Sequence, residues 1–297
     1  MNKSSAKLLP IGTILLSSRA TVGECSINKK ECTTNQGFQS LIPKENISNE
    51  FVYYLIQTKR KDLIRKSCGS TFLEISANEV RKIVISIPTI KEQDKIANVL
   101  SLLDERIATQ NKIIDKLQSL IKGIAQKIVH SNKTNVRLSE CVECSSSTLQ
   151  ESDVCEHGAY AVYGANGIVG YLDNYNTEGE AVYIIKDGSG VGTVSYVTGK
   201  CSATGTLNTL QAKEGYSLQY LYYLLKVFNF EPYKTGMAIP HIYFKDYGKA
   251  KVFCPSYTEQ LQYARLLSAI ESKLSAEQNI KTNLTLQKQY LLRQMFI

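Results

Sequence analysis

Two stretches of the chain carry apolar residues at alternating spacings of four and three, the pattern of a helix in a coiled coil. Such a seam is about 50 Å long at ~1.5 Å rise per residue, which is more than a small module covers. The pattern therefore predicts that the two helices pair with each other, and packing of each helix on its own domain is the alternative. The first seam, interrupted by Gln110, consists of Ile96, Leu100, Leu103, Ile107, Ile114, Leu117, Ile121, Ile124 and Ile128. The weaker second seam consists of Tyr263, Leu267, Ile270, Leu274, Leu284, Leu291 and Met295, with Glu277, Lys281 and Lys288 at seam positions.

The region before each long helix follows one plan of shorter elements. Short β-type segments separated by Gly, Asn and Ser come first. A small helix, a polar loop and a short apolar strand ending at Pro88 or Pro255 follow. A capping box stands after each proline, at 89–92 and at 256–259, and predicts the start of each long helix.

An internal repeat accounts for this common plan. An offset of 169 residues places Val22-Gly23 on Val191-Gly192 and Tyr53-Tyr54-Leu55 on Tyr222-Tyr223-Leu224. After a contraction to 167 residues, Pro88 meets Pro255. The predicted fold is α+β: two tandem β-rich domains, each followed by a long helix, with the two helices paired with each other. The predicted boundaries are 1–88, 89–130, 131–255 and 256–297.

The repeat also bears on the beginning of the chain. Ile14-Leu15-Leu16 falls opposite Tyr183-Ile184-Ile185, in the middle of a module, so a β-strand is predicted there rather than a secretion signal. The second copy begins near Val136, and its counterpart would precede residue 1. We therefore expect the first domain to be truncated at its N-terminus and to have an open sheet edge.

Composition narrows the class of partner. The 297 residues carry a formal charge of +8 and a pI near 8.9, which favours a polyanionic partner. Eight cysteines spread along the chain indicate a reducing, cytoplasmic setting, and no apolar run is long enough to predict a membrane span.

Candidate chemistry is sparse. The glycine cluster at 186–192 lacks the spacing of a nucleotide or cofactor loop. Cys141, Cys144, Cys155 and His157 form the best zinc candidate, with free cysteines as the preferred reading. We expect Glu271 to lie on a solvated helix face. The sequence predicts no catalytic site, no cofactor and no metal.

Four stretches, at 3–23, 160–190, 87–107 and 254–274, resemble the DNA-specificity subunit of type I restriction-modification systems. The resemblance implies that each domain recognises one half of a bipartite target in double-stranded DNA. It also implies that the long helices are spacers, paired as an antiparallel coiled coil. It also implies binding to methyltransferase (modification) subunits and, through them, to the restriction subunit, which carry the catalysis. The alternatives are an assembly-only or recombination-donor version with impaired DNA specificity, and a stand-alone nuclease or methyltransferase. The expected truncation implies that the first domain reads its half-site poorly.

Polar loops between the short strands supply the candidate DNA contacts. Arg19 suits a guanine contact and Asn166, at the turn of a predicted hairpin, suits adenine. The tyrosines of that hairpin have packing in a β-rich core as their alternative role. The first domain offers Ser18, Arg19, Thr21, Asn35, Gln36, Lys66, Ser70, Thr71 and Phe72. The second offers Tyr163, Asn166, Lys186, Asp187, Ser189, Thr204, Thr206, Lys234, Thr235 and His241.

Overall fold

A computed structural model describes residues 7–69, 73–130 and 132–296. Two compact units divide the chain. The first unit is Met1–Ile113 with Glu277–Ile297, and the second unit is Ile114–Ala276. Each unit contains part of both long helices, whereas the sequence assigns each helix to one copy of the repeat. The boundaries at 88, 130 and 255 stay predictions.

The first copy of the repeat is built on a small antiparallel sheet of order β2-β1-β3. Ile14 and Leu16 of the central strand are buried against the helical layer. The strand predicted at Ile14-Leu15-Leu16 is therefore confirmed. The elements of this copy are β1 (Ile14–Ser17), β2 (Cys25–Ile27), β3 (Phe38–Leu41), α1 (Asn49–Thr58), α2 (Arg60–Arg65), α3 (Ala77–Arg81) and α4 (Ile90–His130).

The second copy is larger. Its elements are β4 (Val136–Arg137), α5 (Leu138–Cys141), β5 (Val142–Ser146), β6 (Tyr160–Gly164), β7 (Gly167–Leu172), β8 (Glu180–Ile185), β9 (Val194–Thr198), β10 (Ser202–Ala203), β11 (Leu207–Ala212), α6 (Leu218–Lys226), α7 (Phe244–Tyr247), β12 (Lys251–Val252) and α8 (Tyr257–Met295). One sheet has the order β5-β11-β8-β9, a second has the order β10-β6-β7, and β12 pairs with β4. Single 3-10 turns stand at Glu151–Asp153 and Glu231–Tyr233.

Strand pairing refines the repeat. Sheet β2-β1-β3 corresponds to β9-β8-β11, and β5 is the additional strand of the second copy. Ile14 pairs with Leu41 as Val182 pairs with Leu210, so Ile14 corresponds to Val182 and not to Tyr183. The loop after β8 is one residue longer than the loop after β1. The predicted strand before Pro88 is absent from the described first copy, which has no partner strand like β4 for these residues.

The long helices pair with each other, as the seams predict, and the pair is antiparallel, as the resemblance implies. In the second unit, Ile121 and Ile128 of α4 share a core with Leu267 of α8. In the first unit, Asp104 of α4 bonds to Lys288 of α8, with 2.6 Å between Oδ1 and Nζ. Within the described residues, neither helix is apolar enough to cross a lipid bilayer.

The polar residues in the two seams bond to each other in the first unit. Gln110 and Glu277 are both buried, and Gln110 Nε2 donates to the Glu277 carbonyl oxygen at 3.1 Å and to its carboxylate. The two positions are separated by 167 residues, so they are equivalent in the repeat. A contact between equivalent positions fixes the register of an antiparallel pair at that point.

A buried glutamine ties each long helix to the small helix of its own copy. Gln93 Oε1 accepts from the backbone N–H of Ser48, and Gln93 Nε2 donates to the Pro88 carbonyl, both at 2.9 Å. Gln260 makes the same two bonds, to Ser217 and Pro255, at the same distances. Ser48 and Ser217 are the N-cap residues of α1 and α6, whose N-termini are thereby fixed.

A tyrosine bonds to a carboxylate on the long helix at equivalent positions of both copies. Tyr54 donates to Asp104 at 2.9 Å, and Tyr223 donates to Glu271 at 2.7 Å. The expectation that Glu271 lies on a solvated face is wrong, since it is half-buried and also bonds to Lys226. Although burial alone would raise the pKa of Glu271, bonds from Tyr223 and Lys226 lower the pKa below its ordinary value.

Replacing Gln110 with Leu should lower the free energy of unfolding by about 1 to 3 kcal/mol, because the buried Glu277 loses a donor. Urea denaturation monitored by circular dichroism measures the change. Thr109→Ala, at an exposed neighbouring position, is the control and should have little effect. The double variant Gln110→Leu/Glu277→Leu should recover most of the loss, because both polar partners are then gone. An unchanged midpoint for Gln110→Leu would contradict this role.

Glu271→Gln should change how stability depends on pH. Because the folded pKa of Glu271 is lowered, its contribution is present above the ordinary value of 4.5 and is lost as pH falls through the folded value. We expect the variant to be less stable than the native chain by about 1 kcal/mol near neutral pH and the two to converge in acid. Tyr223→Phe should reduce the same dependence, and unfolding curves that stay parallel from neutral pH into acid would refute the assignment.

Candidate nucleic-acid interface

Three polar loops of the second copy meet beside the end of β8. The backbone N–H of Lys186 donates to the carbonyl of Thr206, and the N–H of Ile242 donates to the carbonyl of Lys186. Gly188 N–H bonds to the carbonyl of Pro240. These bonds join the loop after β8, the turn before β11 and the loop at 234–241. We call this arrangement the second loop cluster.

The first copy has the same arrangement, which we call the first loop cluster. The backbone N–H of Ser18 donates to the carbonyl of Gly37, and the N–H of Ile75 donates to the carbonyl of Ser18. The loop after β1, the turn at 35–37 and residues 74–75 are therefore joined by bonds equivalent to those of the second copy. Three of the loops that the sequence nominated separately in the second copy are thus joined by backbone hydrogen bonds.

One acidic and one basic residue close each cluster, and the acidic and basic positions are exchanged between the copies. In the first cluster, Arg19 Nη2 lies 2.9 Å from Glu74 Oε1. In the second, His241 Nδ1 lies 2.8 Å from Asp187 Oδ1. Arg19 corresponds to Asp187, and Glu74 corresponds to His241. All four side chains are more than a third exposed. The two pairs therefore contribute little to the stability of the fold, and their polar groups are accessible to a ligand.

A groove of about 470 Å³ borders the second cluster. Lys186 lines it and donates to Ser146 Oγ at 3.1 Å. Tyr243 and Lys245 also line it, with the Lys245 ammonium 5.2 Å from the centre of the Tyr243 ring. The sequence analysis missed Ser146, Tyr243 and Lys245. An exposed Tyr and Lys immediately after the buried Ile242 were the available signal.

Two of the nominated residues, Ser18 and Thr204, have buried side chains, which disfavours a direct side-chain contact with DNA. Ser18 is fully buried, and its hydroxyl has no hydrogen-bond partner. Thr204 is 1% exposed, and its Oγ1 lies 2.8 Å from that of the half-buried Thr206. Small hydroxyl residues fit beneath tight turns, where the backbone rather than the side chain faces outward.

The tyrosine-rich stretch forms a hairpin in a separate sheet. β6 and β7 pair around a two-residue turn, Ala165-Asn166, and Gly167 has a positive φ of 99°. This confirms the predicted turn and leaves Asn166 exposed. The ring of Tyr163 instead packs 5.7 Å from that of Tyr183, which favours the core role given as its alternative.

The other nominated residues lie at the surface or partly so. Thr21, Asn35, Gln36, Ser189 and Thr235 are exposed. Lys66 is half-buried, and Lys234 is bonded to Glu231 at 2.6 Å. Ser70, Thr71 and Phe72 lie outside the described residues.

The cysteines do not form the zinc arrangement that the sequence allowed. Cys141 is buried, with its sulfur 3.7 Å from that of Cys254, not directed to Cys144. Burial raises the pKa of Cys144 to about 11, which disfavours the thiolate that zinc requires. No group of three potential metal ligands is found in the part of the chain that the structure describes.

Comparison with known proteins finds one family in both copies. The model of the type I restriction modification DNA specificity domain matches residues 1–119 and 130–286. The type I restriction enzyme MjaIX specificity subunit of Methanocaldococcus jannaschii is 42% identical over 122 residues, which are 39% of this chain and 28% of that protein. The EcoprrI specificity subunit of Escherichia coli is 22% identical over 293 residues, covering 90% of this chain and 73% of that protein.

The fold has a counterpart among solved structures. The type I restriction-modification system S subunit from M. genitalium superimposes with a TM-score of 0.71 at 20% identity. The superposition covers 98% of this chain and 84% of that one.

Proposed function

The chain belongs to the family of type I restriction modification DNA specificity domains, and we propose that its two loop clusters read the two halves of a bipartite DNA target. It acts as the sequence-recognition and scaffold subunit of a restriction-modification complex and does not itself catalyse a reaction. The observation that carries this proposal is the recurrence of one cluster of loops in both copies of the repeat, with the acidic and basic members of its side-chain pair exchanged.

The chemistry of the second cluster suits a DNA backbone and a base edge. Lys186 and Lys245 supply cations for phosphates, which give affinity without sequence preference. Asp187 can accept from the amino group of cytosine, and His241 can donate to an acceptor on a purine. Lys245 is exposed and the other three side chains are partly exposed, which supports such contacts.

The first cluster presents a different set of groups. The Arg19 guanidinium, which is paired with Glu74 in the chain alone, can donate two hydrogen bonds to guanine. Asn35 and Gln36, exposed on the adjoining turn, add amide groups that suit adenine. Since the clusters share a backbone and differ in side chains, the two half-sites are expected to differ in sequence.

The double variant Lys186→Ala/Lys245→Ala tests the phosphate contacts. We expect weaker binding to duplex DNA and a salt dependence shallower by about two, because each lost phosphate contact lowers the slope by about 0.9. Fluorescence anisotropy on random-sequence duplexes at several salt concentrations measures both quantities.

Lys200→Ala is the matched control for charge. Lys200 follows β9 beside the start of β8, at the end of the strand pair opposite to the second cluster. Its removal changes the net charge but should leave the salt slope unchanged. Lys200→Ala removes one cation and the double variant removes two, so a loss of slope in the control that reaches half the loss in the double variant would show that the basic charge acts diffusely and would refute the assigned site.

We further propose that the paired helices bind the methyltransferase subunits and, through them, the restriction subunit. Leu102 of α4 is 60% exposed, and Ile280 of α8 is 45% exposed. Both line a cavity of about 520 Å³ with Glu105 and Arg106 in the first unit. An exposed apolar patch with a charged rim is typical of a protein-protein interface.

Leu102→Asp should abolish co-purification with the modification subunit while leaving DNA binding by the isolated chain unchanged, because a charge enters the centre of the apolar patch. Ala108→Asp places the same charge on another, exposed face of α4 and should retain the complex. Size-exclusion chromatography of co-expressed subunits provides the measurement. Loss of the complex in both variants, or in neither, would argue against this surface.

A further inference from the structure

The loop at 236–240 of the second loop cluster has an apolar tip. Thr235 and His241 exchange two backbone hydrogen bonds, of 2.9 and 2.8 Å, and these bonds close the loop. Met237 is fully exposed, and Ile239 is 59% exposed. Among the described residues, no other large apolar side chain is as exposed as that of Met237. Two neighbouring apolar side chains held in water by a closed loop indicate a surface that contacts a ligand.

Backbone constraints restrict the conformation of this loop. Gly236 has a φ of 86°, which favours glycine, and a side chain at this position would meet the carbonyl of Ile239. The Gly188 N–H donates to the Pro240 carbonyl at 3.0 Å and attaches the loop to the one after β8. Because the loop is already ordered, placing its tip in a ligand costs little conformational entropy.

Cationic side chains border the loop. Ile242, which follows it, is joined to Lys186 by a backbone hydrogen bond of 2.9 Å. Lys186 and Lys245 line the adjoining groove, and Lys234 precedes the loop. Duplex DNA combines phosphates at its surface with a stack of apolar base faces inside, so it suits an apolar tip with cations beside it. A partner with a purely apolar surface would gain nothing from the cations.

The first copy closes its equivalent loop in the same way. Cys68 and Glu74 exchange two backbone hydrogen bonds, both of 2.9 Å, and enclose a loop of the same length as in the second copy. Leu73, in this loop, is 44% exposed. In the sequence, Phe72 stands opposite Ile239 at the offset of 167 residues. An apolar residue therefore recurs in the loop of both copies, whereas the acidic and basic residues beside it are exchanged.

We propose that the loop at 236–240 inserts Met237 and Ile239 between neighbouring bases of bound duplex DNA. The two side chains act as a wedge that unstacks one base step and kinks the duplex there. This inference rests on the proposed DNA-reading function and extends it. The polar groups of the cluster read base edges, whereas the wedge selects a base step that unstacks easily. Pyrimidine-purine steps unstack most easily, so we expect one beside the bases that the second loop cluster contacts.

Duplexes that the full chain binds from a random-sequence pool provide the probe. One selected duplex carries a fluorescent donor and acceptor at its two ends, and 2-aminopurine replaces each adenine in turn. Binding of the native chain should bring the ends closer, which raises energy transfer between the dyes. It should also raise 2-aminopurine fluorescence at one step, because unstacking relieves the quenching by neighbouring bases.

The double variant Met237→Ala/Ile239→Ala should lose both signals. It should bind the selected duplex about tenfold more weakly, because apolar surface is no longer buried against the bases. The dependence of its affinity on salt should stay the same, since no phosphate contact is removed. Met237→Leu/Ile239→Val keeps the tip apolar and should retain most of the bend.

Leu266→Ala is the matched control. Leu266 is 50% exposed on α8, which supplies none of the described residues that line the groove beside the second loop cluster. This variant should bind and bend the duplex as the native chain does. Circular dichroism of each variant establishes that it folds.

Equal bending and unstacking by the native chain and the double alanine variant would overturn the inference. So would a native chain that enriches and binds one sequence but leaves that duplex straight and stacked, and in that case the DNA-reading function stands. Failure to enrich any sequence would instead refute the DNA-reading function, and the wedge with it. A double alanine variant that bends the duplex normally but no longer co-purifies with the modification subunit would assign the tip to a protein contact.

Discussion

The apolar seam of each long helix has to be removed from water, and this constraint organises the rest of the protein. A helix of this length exposes more apolar surface than the small sheet beside it can cover. In each unit the seam is covered by the other helix, with leucine and isoleucine in contact in the second unit and Gln110 with Glu277 in the first. The buried glutamines Gln93 and Gln260 then attach the small helices to these paired rods.

Duplication has kept the backbone of the loop clusters while their side chains have diverged. The bonds that join the loops use backbone N–H and carbonyl groups, which every residue except proline provides, so they persist when side chains change. The carboxylates Asp104 and Glu271 show the same tendency in the helices. Each accepts from an equivalent tyrosine, yet the cation is Lys288 of α8 in one case and Lys226 of α6 in the other. The backbone arrangement is thus retained in both copies while the polar side chains on it differ.

The periodicity of apolar residues predicted most helices and strands well, because it depends only on residues that are close together in the sequence. The seams, the strand at Ile14 and the turn at Asn166 follow from spacing and glycine placement within a few residues. The burial of the Ser18 and Glu271 side chains could not be predicted from the sequence. A small hydroxyl residue in a glycine-rich loop looks the same in sequence whether it is inside or outside the turn. The partners of Glu271 lie more than forty positions away along the chain, so only the folded structure reveals them.

The contact between Gln110 and Glu277 distinguishes this intramolecular pair from its homotypic alternatives. Because the two positions are equivalent, an α8 helix meeting a second α8 in the same antiparallel register would bring Glu277 against Glu277. Two buried carboxylates at that point repel unless one takes up a proton. Divergence at one position after duplication therefore makes self-recognition between two α8 helices unfavourable and leaves the unlike partner as the preferred one.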